Sequence, residues 1–271
     1  LIPRQCALFH RNKDGSLIRL LRRRLFPSLV DANLFMVVWP FHNGDAQMAI
    51  KNLQWISKMP TLRTHEIVMS YERGTDARLI DQMKVAATPS FTKIHETSYP
   101  RPIAGTWPPT IAFHHAARTL QQFGRNWLWM EYDVIALRQS WLMKLQDRYD
   151  RVRCPFMGPV IPGLGHMNGT GVYPADTPAM IPNTMRTLTP AWDVVMKPEM
   201  IAVTHDCSDI FCHRWGMVNR DSELHSSQGA SPIFDTKDKV EKWIPKQAFV
   251  FHRSKDGLLI DRLMEIQATK R

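Results

Sequence analysis

The sequence lacks several features that would narrow its class at once. It has no apolar run near the roughly twenty residues that a membrane-spanning helix needs, and Arg4, His10 and Arg11 interrupt any signal-peptide-like segment at its start. Its 4 cysteines among 271 residues are too few for a disulfide scaffold. We therefore expect a reduced, cytoplasmic protein.

Acidic residues are scarce relative to basic ones. The chain has 25 Asp and Glu against 35 Lys and Arg, which gives a net charge of +10 and a pI near 9.7. Basic side chains cluster from Arg19 to Arg24, from Arg148 to Arg153 and from Lys237 to Lys246. One such cluster is typical of a solvated surface. Three together favour a partner rich in phosphate, because each phosphate contact releases counterions.

The pattern of apolar residues predicts the fold class. No G-x-G-x-x-G pattern is present, so a dinucleotide-binding fold is not indicated. Short apolar runs at 33–39, 66–71, 126–133 and 155–161 predict strands, and segments at 45–58, 110–122 and 141–150 have helical spacing. Asp45 is the candidate cap of the first helix. This alternation predicts an α/β fold with a mixed sheet flanked by helices, binding ligands at the carboxyl ends of its strands.

The first residues of the chain repeat its tail. Residues 1–18 align without a gap on residues 243–260, with identities that include Pro3 with Pro245 and His10 with His252. A repeat separated by a whole domain is not a solenoid period. We interpret residues 1–30 as the tail of a preceding module in tandem, and residues 31–271 as the main domain. A duplicated structural hairpin is the alternative.

The central chemical signal is the pair of acids in Glu131-Tyr132-Asp133, at the end of the apolar run that begins at Trp127. In an extended segment, residues two apart point to one face, so both carboxylates can converge on one cation. Mg²⁺ and Mn²⁺ favour such oxygen ligands and can bridge phosphates. A strand cap or a salt-bridge pair is the alternative reading.

This arrangement resembles the DxD-type motif of GT-A glycosyltransferases, with Glu in the first place, and the similarity covers most of residues 33–260. The resemblance implies a GT-A-like, Rossmann-like fold. It also implies transfer of a hexosyl or pentosyl group from a nucleotide-sugar, UDP-linked in our interpretation, to a hydroxyl. In such enzymes the two acids, here Glu131 and Asp133, hold Mn²⁺ or Mg²⁺ on the donor diphosphate. His252, near the carboxyl end, matches the histidine that completes the metal shell; a core histidine is the alternative.

The resemblance also assigns residues to donor binding. The loop after the first strand resembles the nucleotide-binding opening, Glu72 follows the second strand where the base or ribose is contacted, and the glycine-rich loop resembles the lining of the sugar cleft. Arg118 is a candidate for the diphosphate because guanidinium suits phosphate, although a surface arginine is the simpler reading. The donor-binding candidates are Pro40, Phe41, His42, Asn43, Glu72, Arg118, Asn168 and Gly169.

A transferase that inverts configuration needs a carboxylate to remove the proton of the acceptor hydroxyl. Family members of this kind place it late in the domain, where Asp206 and Asp209 lie. We favour Asp209 slightly, because Ile210 and Phe211 indicate that it opens an apolar element. If configuration is retained, neither acid need be a base.

The acceptor follows from charge and resemblance. Residues 167–174 resemble phage and giant-virus members, which makes hydroxymethylated pyrimidines in DNA a candidate acceptor and the host cytoplasm the location. Such a base must be presented outside the duplex, with basic clusters on the backbone. The alternatives are a glycan or protein acceptor, or a non-catalytic nucleic-acid-binding module on a degenerate GT-A fold.

Overall fold

The computed structural model describes residues 34–59, 63–152, 154–161, 164–213, 234, 236–252 and 256–269. The segment 1–30, with its repeat of the tail and its basic cluster from Arg19 to Arg24, lies outside the described residues. The interpretation of that segment as the tail of a preceding module therefore stays a prediction.

The described chain alternates strands and helices. The strands are β1 Met36–Phe41, β2 Ile67–Glu72, β3 Ile94–Tyr99, β4 Trp127–Trp129, β5 Val134–Ala136, β6 Phe156–Gly158, β7 Gly171–Tyr173, β8 Thr204–Asp206, β9 Phe211–His213 and β10 Val250–His252. The α-helices are α1 Ala46–Ser57, α2 Ala77–Ala87, α3 Pro108–Gln121, α4 Trp141–Val152, α5 Thr177–Met180, α6 Trp192–Val195, α7 Lys197–Met200, α8 Lys237–Trp243 and α9 Leu258–Ala268. Of these described helices, none combines the length and apolar character needed to cross a membrane.

Seven strands form one mixed sheet in the order β3-β2-β1-β4-β7-β6-β8. The strands β3, β2, β1 and β4 are parallel neighbours, and β6 is parallel to β8. Only β7 runs against its neighbours β4 and β6, so the carboxyl ends of the other six strands lie at one edge. The strands β5, β10 and β9 form a separate small sheet. The predicted mixed sheet flanked by helices is confirmed.

The two faces of β1 show how the sequence builds the layers. Side chains alternate along a strand, so Val37 and Trp39 pack on the face covered by α1, and Met36 and Val38 pack on the face covered by α3. All four are fully buried. Burial of such side chains stabilises the fold by roughly 1.5–3 kcal/mol each. Because both faces of a central strand are buried, an uninterrupted apolar run predicts such a strand.

The start of α1 differs from the prediction. Asp45 occupies the N-cap position, but its side chain makes no capping hydrogen bond to the helix. Its carboxylate instead accepts a hydrogen bond from the backbone N–H of His42 at 2.7 Å. The side chain therefore closes the loop that leads out of β1, at the edge of the sheet formed by the carboxyl ends of its parallel strands.

Candidate metal centre and donor cleft

The acid pair lies in the turn that joins the two sheets. β4 ends at Trp129, and the backbone N–H of Val134 donates to the carbonyl of Glu131 at 3.0 Å to close the turn. The sequence argument placed both acids on one face of an extended strand, and that part is wrong. Glu131 and Asp133 converge because the chain turns from β4 into β5.

Helix α1 fixes the shape of this turn. The buried amide of Asn52 donates to the carbonyl of Tyr132 at 3.1 Å and to that of Val134 at 2.7 Å. One turn further along, the indole N–H of Trp55 donates to the carbonyl of Ala136 at 2.7 Å. A buried carbonyl must find a donor, and these two side chains tie the acid-bearing turn and β5 to the helix.

Strand pairing brings His252 to the acids. β10 runs antiparallel to β5 with His252 opposite Val134. The Nε2 atom of His252 lies 3.3 Å from a carboxylate oxygen of Glu131 and 3.3 Å from one of Asp133. Its Nδ1 atom lies 3.4 Å from the hydroxyl of Thr170. One ligand atom from each of the three side chains lies within 4.8 Å of the others.

The electrostatics of this group suit a cation. Burial of His252 opposes its charge, but the carboxylates of Asp133 and Glu131 outweigh burial and raise the pKa of the imidazole to about 9. Without a metal, the group therefore holds a proton between two acids. A divalent ion that binds two carboxylate oxygens and one imidazole would replace that proton, and Mn²⁺ and Mg²⁺ accept these donors. The residues present fit such an ion.

The glycine-rich loop lies against the acids. A Cβ atom on Gly169 would approach the indole of Trp192 to 2.8 Å and a carboxylate oxygen of Glu131 to 3.6 Å. Asn168 is buried, and its side-chain oxygen accepts from the backbone N–H of Thr170 at 3.3 Å. The structure therefore places Gly169 close to Glu131, with Asn168 next to it in the same loop. The assignment of Asn168 and Gly169 to donor binding stays a prediction.

Asp193 is a neighbour of the site that sequence reasoning missed. It lies on α6 next to Trp192, and its carboxylate is 3.9 Å from Nε2 of His166. Burial, together with the charge of Glu131, raises the pKa of Asp193. Its only sequence signal is an acid in Pro190-Ala191-Trp192-Asp193, a pattern too common to single out.

The two predicted nucleotide-binding loops meet at the ligand-binding edge. Asn43, in the loop after β1, accepts through its side chain from the backbone N–H of Asp76, after β2, at 2.9 Å. Glu72 ends β2 and pairs with Arg101 at 3.2 Å. His42 is exposed beside them, whereas Phe41 is buried and Pro40 half-buried within β1.

The structure does not bring Asp209 to this site. Its carboxylate forms a two-point ion pair with Arg148 at 3.0 and 2.7 Å. Partial burial opposes its charge, but Arg148 outweighs burial and lowers the pKa of Asp209. In the register of β9 with β10, His213 lies opposite His252, while Asp209 precedes the other end of β9. The structure therefore places Asp209 away from the acid pair, and its role as the base stays a prediction that this placement does not favour.

Asp206 and Arg118 also lie apart from the acids. Asp206 ends β8, three strand positions from β4, or about 14 Å at ordinary strand spacing. Its carboxylate accepts from the backbone N–H groups of Val160 and Ser208. Arg118 lies in the last turn of α3 and donates to the carbonyl of Met185 at 3.1 Å. These contacts hold neighbouring loops together.

Comparison with known proteins agrees with the fold. The sequence matches no protein-family model and no curated protein. The structure is similar to the galactosyltransferase LgtC in complex with donor and acceptor sugar analogs, with a TM-score of 0.52 and 10% identity over 87% of this chain and 96% of that chain. It is similar to the bifunctional glycosyltransferase WbbM, with a TM-score of 0.57 and 12% identity over 86% of this chain and 49% of that one.

A third similar structure is the glycosyltransferase GlyE of Streptococcus pneumoniae TIGR4. It has a TM-score of 0.54 and 10% identity, covering 86% of this chain and 60% of that one. At such low identities the likeness defines the fold alone. The chain has the mixed α/β fold of GT-A glycosyltransferases.

Proposed function

We propose that this protein is a metal-dependent glycosyltransferase that moves a sugar from a nucleotide-sugar, UDP-linked in our proposal, to a hydroxyl acceptor. The observation that carries the proposal is the group of Glu131, Asp133 and His252 at the end of β4. It lies at the edge of the sheet where α/β folds bind their ligands. Simple phosphate binding calls for no pair of carboxylates at that position.

Glu131, Asp133 and His252 would hold Mn²⁺ or Mg²⁺, which supplies charge neutralisation for the departing diphosphate when bound. Two further residues support these three ligands. Asn52 fixes the turn that carries both acids, and the hydroxyl of Thr170 lies within 3.4 Å of Nδ1 of His252. Such outer contacts orient metal ligands and tune their affinity.

The donor would extend from the loops after β1 and β2 across the acid pair. His42, Asn43 and Glu72 are the candidates for the nucleoside. The backbone of Gly169, close to Glu131, and the side chain of Asp193 are the candidates for the sugar hydroxyls. Holding donor and acceptor in one cleft supplies the proximity that group transfer needs.

The direct test is nucleotide release from UDP-linked hexoses and a UDP-linked pentose, with Mn²⁺, with Mg²⁺ and with chelator. We expect release that requires a divalent ion, stops with chelator and returns when the ion is restored. Asp133→Asn should bind and turn over none of the donors. Absence of binding and of turnover with every donor and metal would exclude the proposal for this chain.

The acceptor we propose is a hydroxymethylated pyrimidine in DNA. It is supported by the net charge of +10 and by the basic residues of α4 and α8, which suit a phosphate backbone. The assay is the same nucleotide release with hydroxymethylated or unmodified DNA. Stimulation by the modified DNA alone supports this acceptor; equal release with both moves the search to glycan and protein acceptors. Salt-sensitive DNA binding without donor turnover would instead indicate a non-catalytic binding module.

A further inference from the structure

A second groove lies on α3, on the side turned away from the sheet. It has a volume of about 400 Å³, and its lining includes Ile111, His114, His115, Arg118, Gln122 and Leu188. Ile111, His114, His115 and Arg118 follow the helical spacing of one face of α3, and Gln122 caps its carboxyl end. The opposite face carries Phe113, Ala116 and Leu120 into the core. A volume near 400 Å³ lies within the range of small-molecule sites.

This groove has a positive electrostatic character. Burial lowers the pKa of His115, and the guanidinium groups of Arg73 and Arg118 lower it further. Neither arginine forms an ion pair with a carboxylate in the part of the chain that the structure describes. The described residues that line the groove include no Asp or Glu. An anion would meet attraction here without competing with a carboxylate for either arginine.

His114 adds a directional group to the floor of the groove. The residue is 2% exposed, hydrogen-bonds to the backbone of Thr184, and has no partner for Nε2 among the described residues. Burial and the charge of Arg118 lower its pKa to about 4, so the ring is neutral near neutral pH. A neutral imidazole that donates from one nitrogen accepts at the other. Nε2 is therefore ready to accept a hydrogen bond from a hydroxyl.

We propose that this groove binds a small hydroxylated organic anion of the sugar-phosphate class, with Arg118 on the phosphate and His114 accepting from a hydroxyl. Half-buried Ile111 and exposed Leu188 would cover the apolar face of the ligand. Arg73, which has no carboxylate partner among the described residues, would add attraction at longer range. Buried polar atoms without partners are uncommon in folded proteins, and a ligand hydroxyl would satisfy this one.

The groove is separate from the metal centre. Arg118 lies in the last turn of α3, from which the chain enters the amino end of β4, whereas Glu131 follows the carboxyl end of β4. The proposal therefore goes beyond glycosyl transfer and does not depend on it. It also gives Arg118 a ligand other than the donor diphosphate.

The test is calorimetric titration with glucose 1-phosphate in the presence of chelator, which keeps the metal centre empty. We expect Arg118→Gln to weaken binding about tenfold or more, the usual effect of losing a hydrogen bond to a charged group. Arg73→Gln should weaken it several-fold. Arg151→Gln is the matched control and should stay within about twofold of the intact chain. Arg151 is an exposed residue of α4 whose guanidinium donates to the backbone carbonyl of Asp147.

Glucose and inorganic phosphate, titrated separately, should each bind more weakly than the combined probe. Asp133→Asn should leave the affinity unchanged. Failure of glucose 1-phosphate to bind the intact chain overturns the proposal. The proposal is also overturned if Arg118→Gln and Arg73→Gln both bind the probe as tightly as the intact chain does. Loss of binding in Asp133→Asn also overturns it, because the probe would then lie at the metal centre. Calorimetry measures binding and not turnover. Failure of the groove proposal is therefore distinguishable from failure of the proposed enzyme activity.

Discussion

The imidazole of His252 lies 3.3 Å from the carboxylate of Asp133, and both side chains are almost fully buried. The contact exists because β10 pairs with β5 in a register that places His252 opposite Val134, one residue after Asp133. These two buried groups of opposite charge, beside the half-buried Glu131, form a site suited to a cation. The predictions below test how this site is built and used.

Replacing Asp133 tests the metal centre directly. Loss of supporting contacts around a metal typically weakens binding 10–100-fold, so we expect Asp133→Asn, which alters a ligand itself, to weaken Mn²⁺ binding by about 100-fold or more. Mn²⁺ binding can be followed by calorimetry and turnover by nucleotide release. Asp261→Asn, which removes a half-buried carboxylate paired with Lys51 on α1, is the control. Equal Mn²⁺ affinity in both variants would contradict the site.

Removing the Asn52 amide should loosen the acid-bearing turn. Asn52→Ala leaves the carbonyls of Tyr132 and Val134 without this donor. We expect a loss of about 1–3 kcal/mol in the free energy of unfolding and a weakening of Mn²⁺ binding of about tenfold. Urea unfolding and calorimetry measure the two effects. A destabilised variant with unchanged Mn²⁺ affinity would show that Asn52 supports the fold but not the site.

Gly169 is required because the loop passes between Trp192 and Glu131. In Gly169→Ala the new Cβ atom would lie 2.8 Å from the indole, and the indole is already stacked on Phe113 with ring centroids 3.6 Å apart. Overpacking of this kind costs about 1–3 kcal/mol. The double variant Gly169→Ala, Trp192→Phe should lose less stability than the sum of the single variants, because the smaller ring gives room. Strict additivity in urea unfolding would exclude this contact as the cause.

Separate substitutions of Asp193 and Asp209 test which of these two carboxylates contributes to turnover. We expect Asp209→Asn to change turnover by less than about twofold and stability by less than about 1 kcal/mol, because its pair with Arg148 is exposed. Asp193→Asn should reduce turnover by about tenfold or more, since it removes a charged hydrogen-bonding group beside Glu131. Nucleotide release with saturating metal gives both values. The opposite order of effects would favour Asp209 as the base.

Asp45 gives the fold a dependence on pH. Burial, partly offset by His42, raises the pKa of its carboxyl from 3.8 to about 6. Because the folded pKa lies above the unfolded value, the stabilisation is present at low pH and is lost as pH rises through about 6. Between about pH 5 and pH 8 the intact protein should lose about 1 kcal/mol relative to Asp45→Asn. Urea unfolding of both proteins in chelator measures this difference; a constant difference across that range contradicts it.

The sequence by itself determined the layers of the fold and the acid motif. The apolar runs that became β1, β2 and β4 and the helical spacing of α1, α3 and α4 are local patterns, and local periodicity reports which side of an element is buried. Glu131 and Asp133 were found because they follow such a run. The resemblance of the chain to GT-A glycosyltransferases then singled out His252, Asn168 and Gly169, and the structure places His252 and Gly169 close to the acids.

Only the tertiary structure decided which distant residues share the site. The register of β10 with β5 brings His252 to Asp133, and the position of α6 brings Asp193 within range of the charge of Glu131. The carboxylate of Asp209 likewise pairs with Arg148 and not with the residues of the site. No pattern within a few residues encodes such pairings, because they arise from the packing of elements far apart along the chain. A side chain's neighbours across the fold, more than its own residue type, set its chemistry.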